Sequence, residues 1–323
     1  MRQARRWITL VIVVLGTATF LYLLWSFGPL LVWDRLRGFG WGYAVVLPFQ
    51  IADHMLNAMG WKLAFSPAEA RKVAFWDLVR VRIAGDGVNY LTPSGNIAGE
   101  FVRPGMLRSD LSLDAKVSSV VLAKAAQAIG QALFVLFGLI YLINARAYTF
   151  QSGQAGWAAA GMSVILFGVA LCVGLFAARP PAFLAERFPA ALEKTEPVRR
   201  HLRENLGKHP WRLAGSTMFF MVGYMWGAAE IWIICRFLGL QVGAETALCV
   251  EFLSNVVDSF AFMVPAKIGT QEAGKAAIFK GLGLGASVGF TVGLIRHTRE
   301  MLWAAAGLGL YAAANRVTED RKK

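Results

Sequence analysis

Charge is scarce in this chain. Only 16% of its 323 residues are Asp, Glu, Lys or Arg, where a soluble domain carries about 25%. With 56% hydrophobic residues and a mean hydropathy of +0.50, that shortage excludes an ordinary soluble protein and indicates the membrane class. Cysteine is scarce too. Cys172, Cys235 and Cys249 sit in apolar stretches at unrelated spacings, so they read as small buried thiols, with no disulfide framework or metal pair. Enzyme signatures are missing: there is no His-Glu-x-x-His, Cys-x-x-Cys, P-loop or Gly-x-Ser-x-Gly. No catalytic residue, metal or cofactor is therefore expected, and no nucleotide-driven motor is visible. The 33 bases outnumber the 20 acids, but no soluble domain gathers them. The net charge of +13 points to anionic lipid surfaces and not to nucleic acid.

Long uncharged runs are what the chain does have. Residues 7–33 and 157–178 each pass 18 residues without an acid or base, enough to cross ~30 Å of hydrocarbon. Arg2, Arg5 and Arg6 precede the first run as in a signal peptide. The run is too long and lacks a small-x-small cleavage site, so a retained helix over 7–32 is expected, followed by a loop at 33–38. Further spans are expected over 42–65, 116–143, 157–177, 212–238 and 284–313. Segment 178–212, with eight bases and four Glu, reads as an amphipathic surface helix, because 35 residues cannot build a core.

Two polar interruptions organise the rest. The first is Thr92-Pro93-Ser94-Gly95-Asn96-Ile97-Ala98-Gly99-Glu100; the second is Val264-Pro265-Ala266-Lys267-Ile268-Gly269-Thr270-Gln271-Glu272. A shift of 172 residues lays Asp86 on Asp258, Pro93 on Pro265 and Glu100 on Glu272. Composition alone produces a second such triplet roughly one time in a hundred. The same shift lays Arg103 on Lys275 and Lys124 on Arg296. The flanking stretches, 73–112 and 246–283, are too polar or too broken to cross alone, and broken backbone at membrane depth needs cover from protein or a wet cavity. They are expected to be re-entrant hairpins.

The expected fold is therefore all-α: a polytopic membrane protein of about six spanning helices and two re-entrant hairpins. The halves, about 42–143 and 213–315, would form an inverted repeat, linked by helix 157–177 and the segment 178–212. Carriers that alternate access around a midplane site have this architecture. The basic N-terminus, the turn 66–72, the segment 178–212 and the basic tail are expected on the cytoplasmic side. Arg35 and Arg37, outside, are a mild violation.

Each charge inside a membrane segment costs ~2.5–3.5 kcal/mol on insertion scales, so each requires a reason. Asp86, Glu100, Asp258 and Glu272 are expected to converge near the midplane, with Arg103 and Lys275 one turn behind the glutamates. Lys267 lies within the second break. Lys124 shares a helix face with Gln127 and Gln131. Arg296, His297, Arg299 and Glu300 form a polar knot, in which an Arg296–Glu300 pair would leave one base for a phosphate. Two readings stay open: a polar cavity for a charged headgroup, or internal ion pairs that hold the hairpins shut. Asp53, His54 and Glu230 are weaker candidates. Gly281, Gly285, Gly289 and Gly293 form a stripe read as close helix packing.

The paired breaks, together with Asn57-Ala58-Met59-Gly60-Trp61-Lys62, resemble the flippase-like membrane domain of lysylphosphatidylglycerol synthases and its stand-alone, hopanoid-associated relatives. The likeness covers roughly 5–315. It implies a bacterial inner-membrane protein that moves lipids of anionic or zwitterionic headgroup between leaflets. No segment here corresponds to the synthases' aminoacyl-transferase domain, so lysyl transfer is not expected. A membrane-embedded headgroup transferase and a scaffold for lipid-synthesis enzymes are the alternatives, and a homodimer stays open.

Overall fold

Proline and glycine set many of the helix ends. The computed structural model describes residues 21–22, 24–92, 97–144, 189–260 and 264–320, with isolated positions between 161 and 187. The readings for residues 7–20, for most of helix 157–177 and for Pro93 lie outside the described residues. Gly28 stands at φ 85°, and Pro29 starts a new helix, α1 (Pro29–Phe39). This corrects the expected helix over 7–32 and loop at 33–38. The break is at Gly28, where a left-handed backbone suits glycine, and residues 33–38 are helical.

There follow α2 (Gly42–Leu63), α3 (Pro67–Arg71), α4 (Phe75–Leu91), α5 (Ala98–Met106) and α6 (Leu113–Asn144). The expected turn at 66–72 is mostly α3, started by a reciprocal Ser66–Glu69 cap. Then come α7 (Pro189–Lys208), α8 (Pro210–Phe237), α9 (Ala244–Phe260), a single 3₁₀ turn (Pro265–Lys267), α10 (Thr270–Gly281) and α11 (Ala286–Asp320). No strand occurs among the described residues. Two of these helices, Leu113–Gly138 within α6 and Pro210–Phe237, are long and apolar enough to cross a membrane by length and composition.

The helix order repeats at the spacing of the sequence signal. Adding 172 to α2 gives 214–235, inside α8; adding it to α5 gives 270–278, which starts on the first residue of α10. Shifted α4 becomes 247–263, over most of α9, and shifted α6 becomes 285–316, along α11. The first members of each half, α2 and α8, lie antiparallel. Arg212, near the start of α8, donates to the carbonyls of Lys62, Leu63 and Phe65 at the end of α2. Farther along, the Ser216 hydroxyl donates to the Gly60 carbonyl and the Trp226 indole to that of Phe49.

The α4–α5 hairpin has its mouth at the end where α2 finishes and α8 begins. There Arg80 donates to the Met106 carbonyl (2.9 Å), and Asp77 accepts from the Arg108 amide (2.7 Å). The α9–α10 hairpin begins beyond the far end of α8, whose 28 residues span about 42 Å at ~1.5 Å per residue. Both hairpins pack on α11. Gly289 and Gly293 let α11 approach Lys275, Phe279 and Glu272 of α10, while Gly87 and Gly307 bring α4 and α11 into backbone contact. Gly289 and Gly293 of the expected stripe thus work inside the chain, whereas Gly281 and Gly285 stand at the turn between α10 and α11. On α7, Val198, Leu202 and Leu206 meet the core around Trp61, Phe65 and Phe220, and Arg200, Glu204 and Lys208 face outward. A hydrogen bond from Arg203, in the first place, holds the exposed Glu196 carboxyl on this helix below its usual range.

A methyl group at Gly307 would strike the Ile83 carbonyl, whereas Gly309 has open space. Gly307→Ala is expected to lower the thermal midpoint in detergent by several degrees and Gly309→Ala to leave it unchanged or slightly higher.

Candidate functional site

Charged side chains on seven helices and the 3₁₀ turn meet inside the bundle. In the first half, Arg103 of α5 reaches Asp86 of α4 at 2.7 Å and also pairs with Glu100. Gly85 leaves the room that its guanidinium occupies. Arg82 lies 3.3 Å from Asp86, one turn along α4, and Lys124 of α6 lies 3.2 Å from Glu100. The Asn89 side chain accepts from the Gly99 amide (2.6 Å), tying α4 to α5. His54 of α2 is buried, with Nδ1 3.6 Å from Asp86 and its ring edge-on to Trp303.

The second half uses the same positions differently. Arg296 does not pair with Glu300 as expected. It donates two hydrogen bonds to Glu230 of α8 (2.8 and 2.9 Å) and one to Glu251 of α9 (2.7 Å). Arg299 pairs with Glu230 and with Glu300, so neither arginine of the knot is left over. The physical reason is that Glu230 and Glu251 are themselves buried, and a forked guanidinium satisfies two desolvated carboxylates better than one neighbour on its own helix. Gly227 makes space for this contact.

Asp258, the counterpart of Asp86, is held by Lys267 at 3.1 Å, and Glu272, the counterpart of Glu100, is held by His297. Lys275 is thereby displaced from the role its counterpart Arg103 plays. It is 1% exposed and has no hydrogen bond or ion pair among the described residues. Lys267 occupies its place through an unusual backbone: Ala266 and Lys267 stand at φ 52° and 53°, a left-handed conformation that costs ~1–2 kcal/mol per residue without glycine. The Thr270 hydroxyl secures the turn on the Lys267 carbonyl (2.9 Å).

Between the halves lies a cavity of about 240 Å³. Arg82, Lys124, Lys267 and Arg299 line it as bases, and Asp86, Glu100 and Glu300 as acids, with His54, Tyr90, Gln127 and Trp303 among the other walls. Of the residues singled out from sequence, Asp86, Glu100, Lys124, Lys267, Arg299 and Glu300 reach this wall, as does the weaker candidate His54. Arg103, Asp258, Glu272, Lys275 and Arg296 do not line it. The first two touch wall residues directly, as described above. Sequence reasoning passed over Arg82, Glu251 and Tyr90 and ranked Glu230 low. The usable signal was that Glu230 and Glu251 are isolated acids in apolar helices, which require a partner.

The family model of the lysylphosphatidylglycerol synthase TM region matches residues 7–309. No curated protein and no solved structure matches the chain.

Two substitutions test this geometry by unfolding in detergent. Glu230→Gln leaves Arg296 and Arg299 short of a buried counter-charge and is expected to cost ~3–5 kcal/mol. Ala266→Gly relieves the left-handed turn and is expected to gain about 1 kcal/mol.

Proposed function

The chain belongs to the family of the lysylphosphatidylglycerol synthase transmembrane region, and from that premise we propose that it moves the polar headgroup of a lipid between bilayer leaflets. The observation that carries the reading is the charged cavity of about 240 Å³ with walls from both halves. A polar void inside an apolar, membrane-class chain is costly unless something polar uses it. We read the halves as an inverted repeat of spans and re-entrant hairpins. The antiparallel α2 and α8, and hairpin mouths at opposite ends of α8, support that reading. Alternating access then follows from rocking one half against the other around a fixed site.

In this scheme the acyl or polycyclic tail stays in lipid while the headgroup passes the cavity, and Lys124, Lys267 and Arg299 offer it positive charge. Asp86, Glu100 and Glu300 balance those bases. We place the protein in the inner membrane of a bacterium with both termini cytoplasmic. Lys62, Arg71, Lys72, Arg200 and Lys208 gather near the end where α2 finishes and α8 begins, which suits the anionic cytoplasmic face. No reaction is assigned to the site, and the hopanoid association rests on the family likeness and on no cavity residue.

Reconstitution in vesicles with headgroup-labelled phospholipids tests the proposal. Wild-type protein is expected to expose inner-leaflet label to an external quencher, and Glu100→Gln, which takes from Lys124 its carboxylate partner and leaves Arg103 with Asp86 alone, to slow this about tenfold or more. A chemically altered lipid would instead support the transferase. Neither transfer nor product would support the scaffold.

A further inference from the structure

We infer that Lys275 is a positioning residue of the second hairpin: it is the alternative partner of Asp258, whose carboxylate passes between Lys267 and Lys275. The swap concerns these ion pairs alone and holds whatever the cavity carries.

The second hairpin holds two costly features at once. Lys275 is 1% exposed and has no hydrogen bond or ion pair among the described residues. A buried cation without a counter-charge is unfavourable, so a base retained in that state requires a reason. Lys267 holds Asp258 at 3.1 Å, but from a left-handed turn at 266–267 that strains residues with a side chain. Both features are relieved when Asp258 goes to Lys275.

The first half has that pairing made. Under the 172-residue shift Arg103 and Asp86 are the counterparts of Lys275 and Asp258, and they meet at 2.7 Å. Asp86 also takes Arg82, whereas the matching position in α9 is Ser254. The first half has Gly95 where the second has Lys267, so the base that displaces Lys275 is particular to the second hairpin.

Packing permits the transfer. A methyl group at Gly274 would come within 2.6 Å of Val257, so α9 and α10 touch one residue before both Asp258 and Lys275. Of the charges around Lys275, that of Asp258 acts on it most strongly, ahead of Arg296, Glu300 and Glu251. Arg296 holds Glu251, and Arg299 and Gln271 hold Glu300, which leaves Asp258 as the carboxylate with one ion pair to give up. The swap lets the 3₁₀ turn relax and leaves Lys267, whose side chain is 24% exposed, unpaired on the cavity wall. An unpaired base at a wet wall is less unfavourable than a buried one, which offsets the loss of the Lys267 pair.

Unfolding in detergent of Lys267→Met, Lys275→Met and the double variant tests the swap. Lys267→Met is expected to lower the thermal midpoint only slightly, because Lys275 takes over Asp258. Lys275→Met should leave it unchanged or raise it, since the unpartnered base is gone. The double variant strands Asp258 and should fall several degrees below the sum of the two. In an Asp258→Asn background the two substitutions should become additive. Hydrogen exchange of the Lys267 amide, which donates to the Val264 carbonyl (3.0 Å), reads the turn directly and serves where the double variant does not fold. Lys275→Met is expected to slow it severalfold and Lys275→Arg to restore the wild-type rate. Additive midpoints in the Asp258 chain, or a Lys267 amide that Lys275→Met leaves unchanged or speeds up, would overturn the swap. The vesicle assay reads translocation separately, so the failure of either proposal leaves the other standing.

Discussion

A charge inside a membrane bundle must find an opposite charge, and most of the interior here follows from that demand. Six bases (Arg82, Arg103, Lys124, Lys267, Arg296 and Arg299) pair with six acids (Asp86, Glu100, Glu230, Glu251, Asp258 and Glu300), His297 holds Glu272, and Lys275 lies buried beside them. Asp53 stands beside them and accepts from the neutral amides of Gln50 and Asn57. In low dielectric a broken pair of this kind costs more than a lost packing contact. The helices therefore approach where the pairs require, and glycines 85, 227 and 293 stand where a methyl group would block a guanidinium or a carboxylate-bearing backbone.

The two halves meet this demand with different partners, and the difference divides labour. In the first half Arg103 joins Asp86 to Glu100, which leaves Lys124 with one contact and an open face. In the second half Arg296 and Arg299 are locked onto carboxylates of α8, α9 and their own helix. Glu272 is fully buried against His297. The first half thus presents Lys124 to the cavity with an open face, and the second presents Lys267, half-buried, beside the fully engaged Arg299. Sharing α11 between both hairpins makes the cavity a property of the whole fold, because α4 packs on its C-terminal part and α10 on its N-terminal part.

Much of this architecture could be read in advance. The 172-residue shift follows from matched Asp, Pro and Glu, and it falls on the first residue of α10 when applied to α5. Breaks at proline and glycine are local chemistry, so a linear pattern carries them. The same logic failed at Gly28. There the apolar run continues unbroken through a residue whose left-handed φ ends one helix, and Pro29 begins the next. Hydropathy does not register a backbone dihedral.

The sequence by itself determined that this is a helical membrane chain and that its scarce charges would gather. Local periodicity, insertion cost and composition suffice for that, because each depends on residue type and near neighbours. Tertiary structure alone decided who pairs with whom. Arg296 chose Glu230 and Glu251, 66 and 45 residues away, over Glu300 on its own helix face. Lys275 lost Asp258 to Lys267. Such choices depend on which carboxylates are desolvated together once the helices pack, a property of three-dimensional burial that no spacing along the chain encodes.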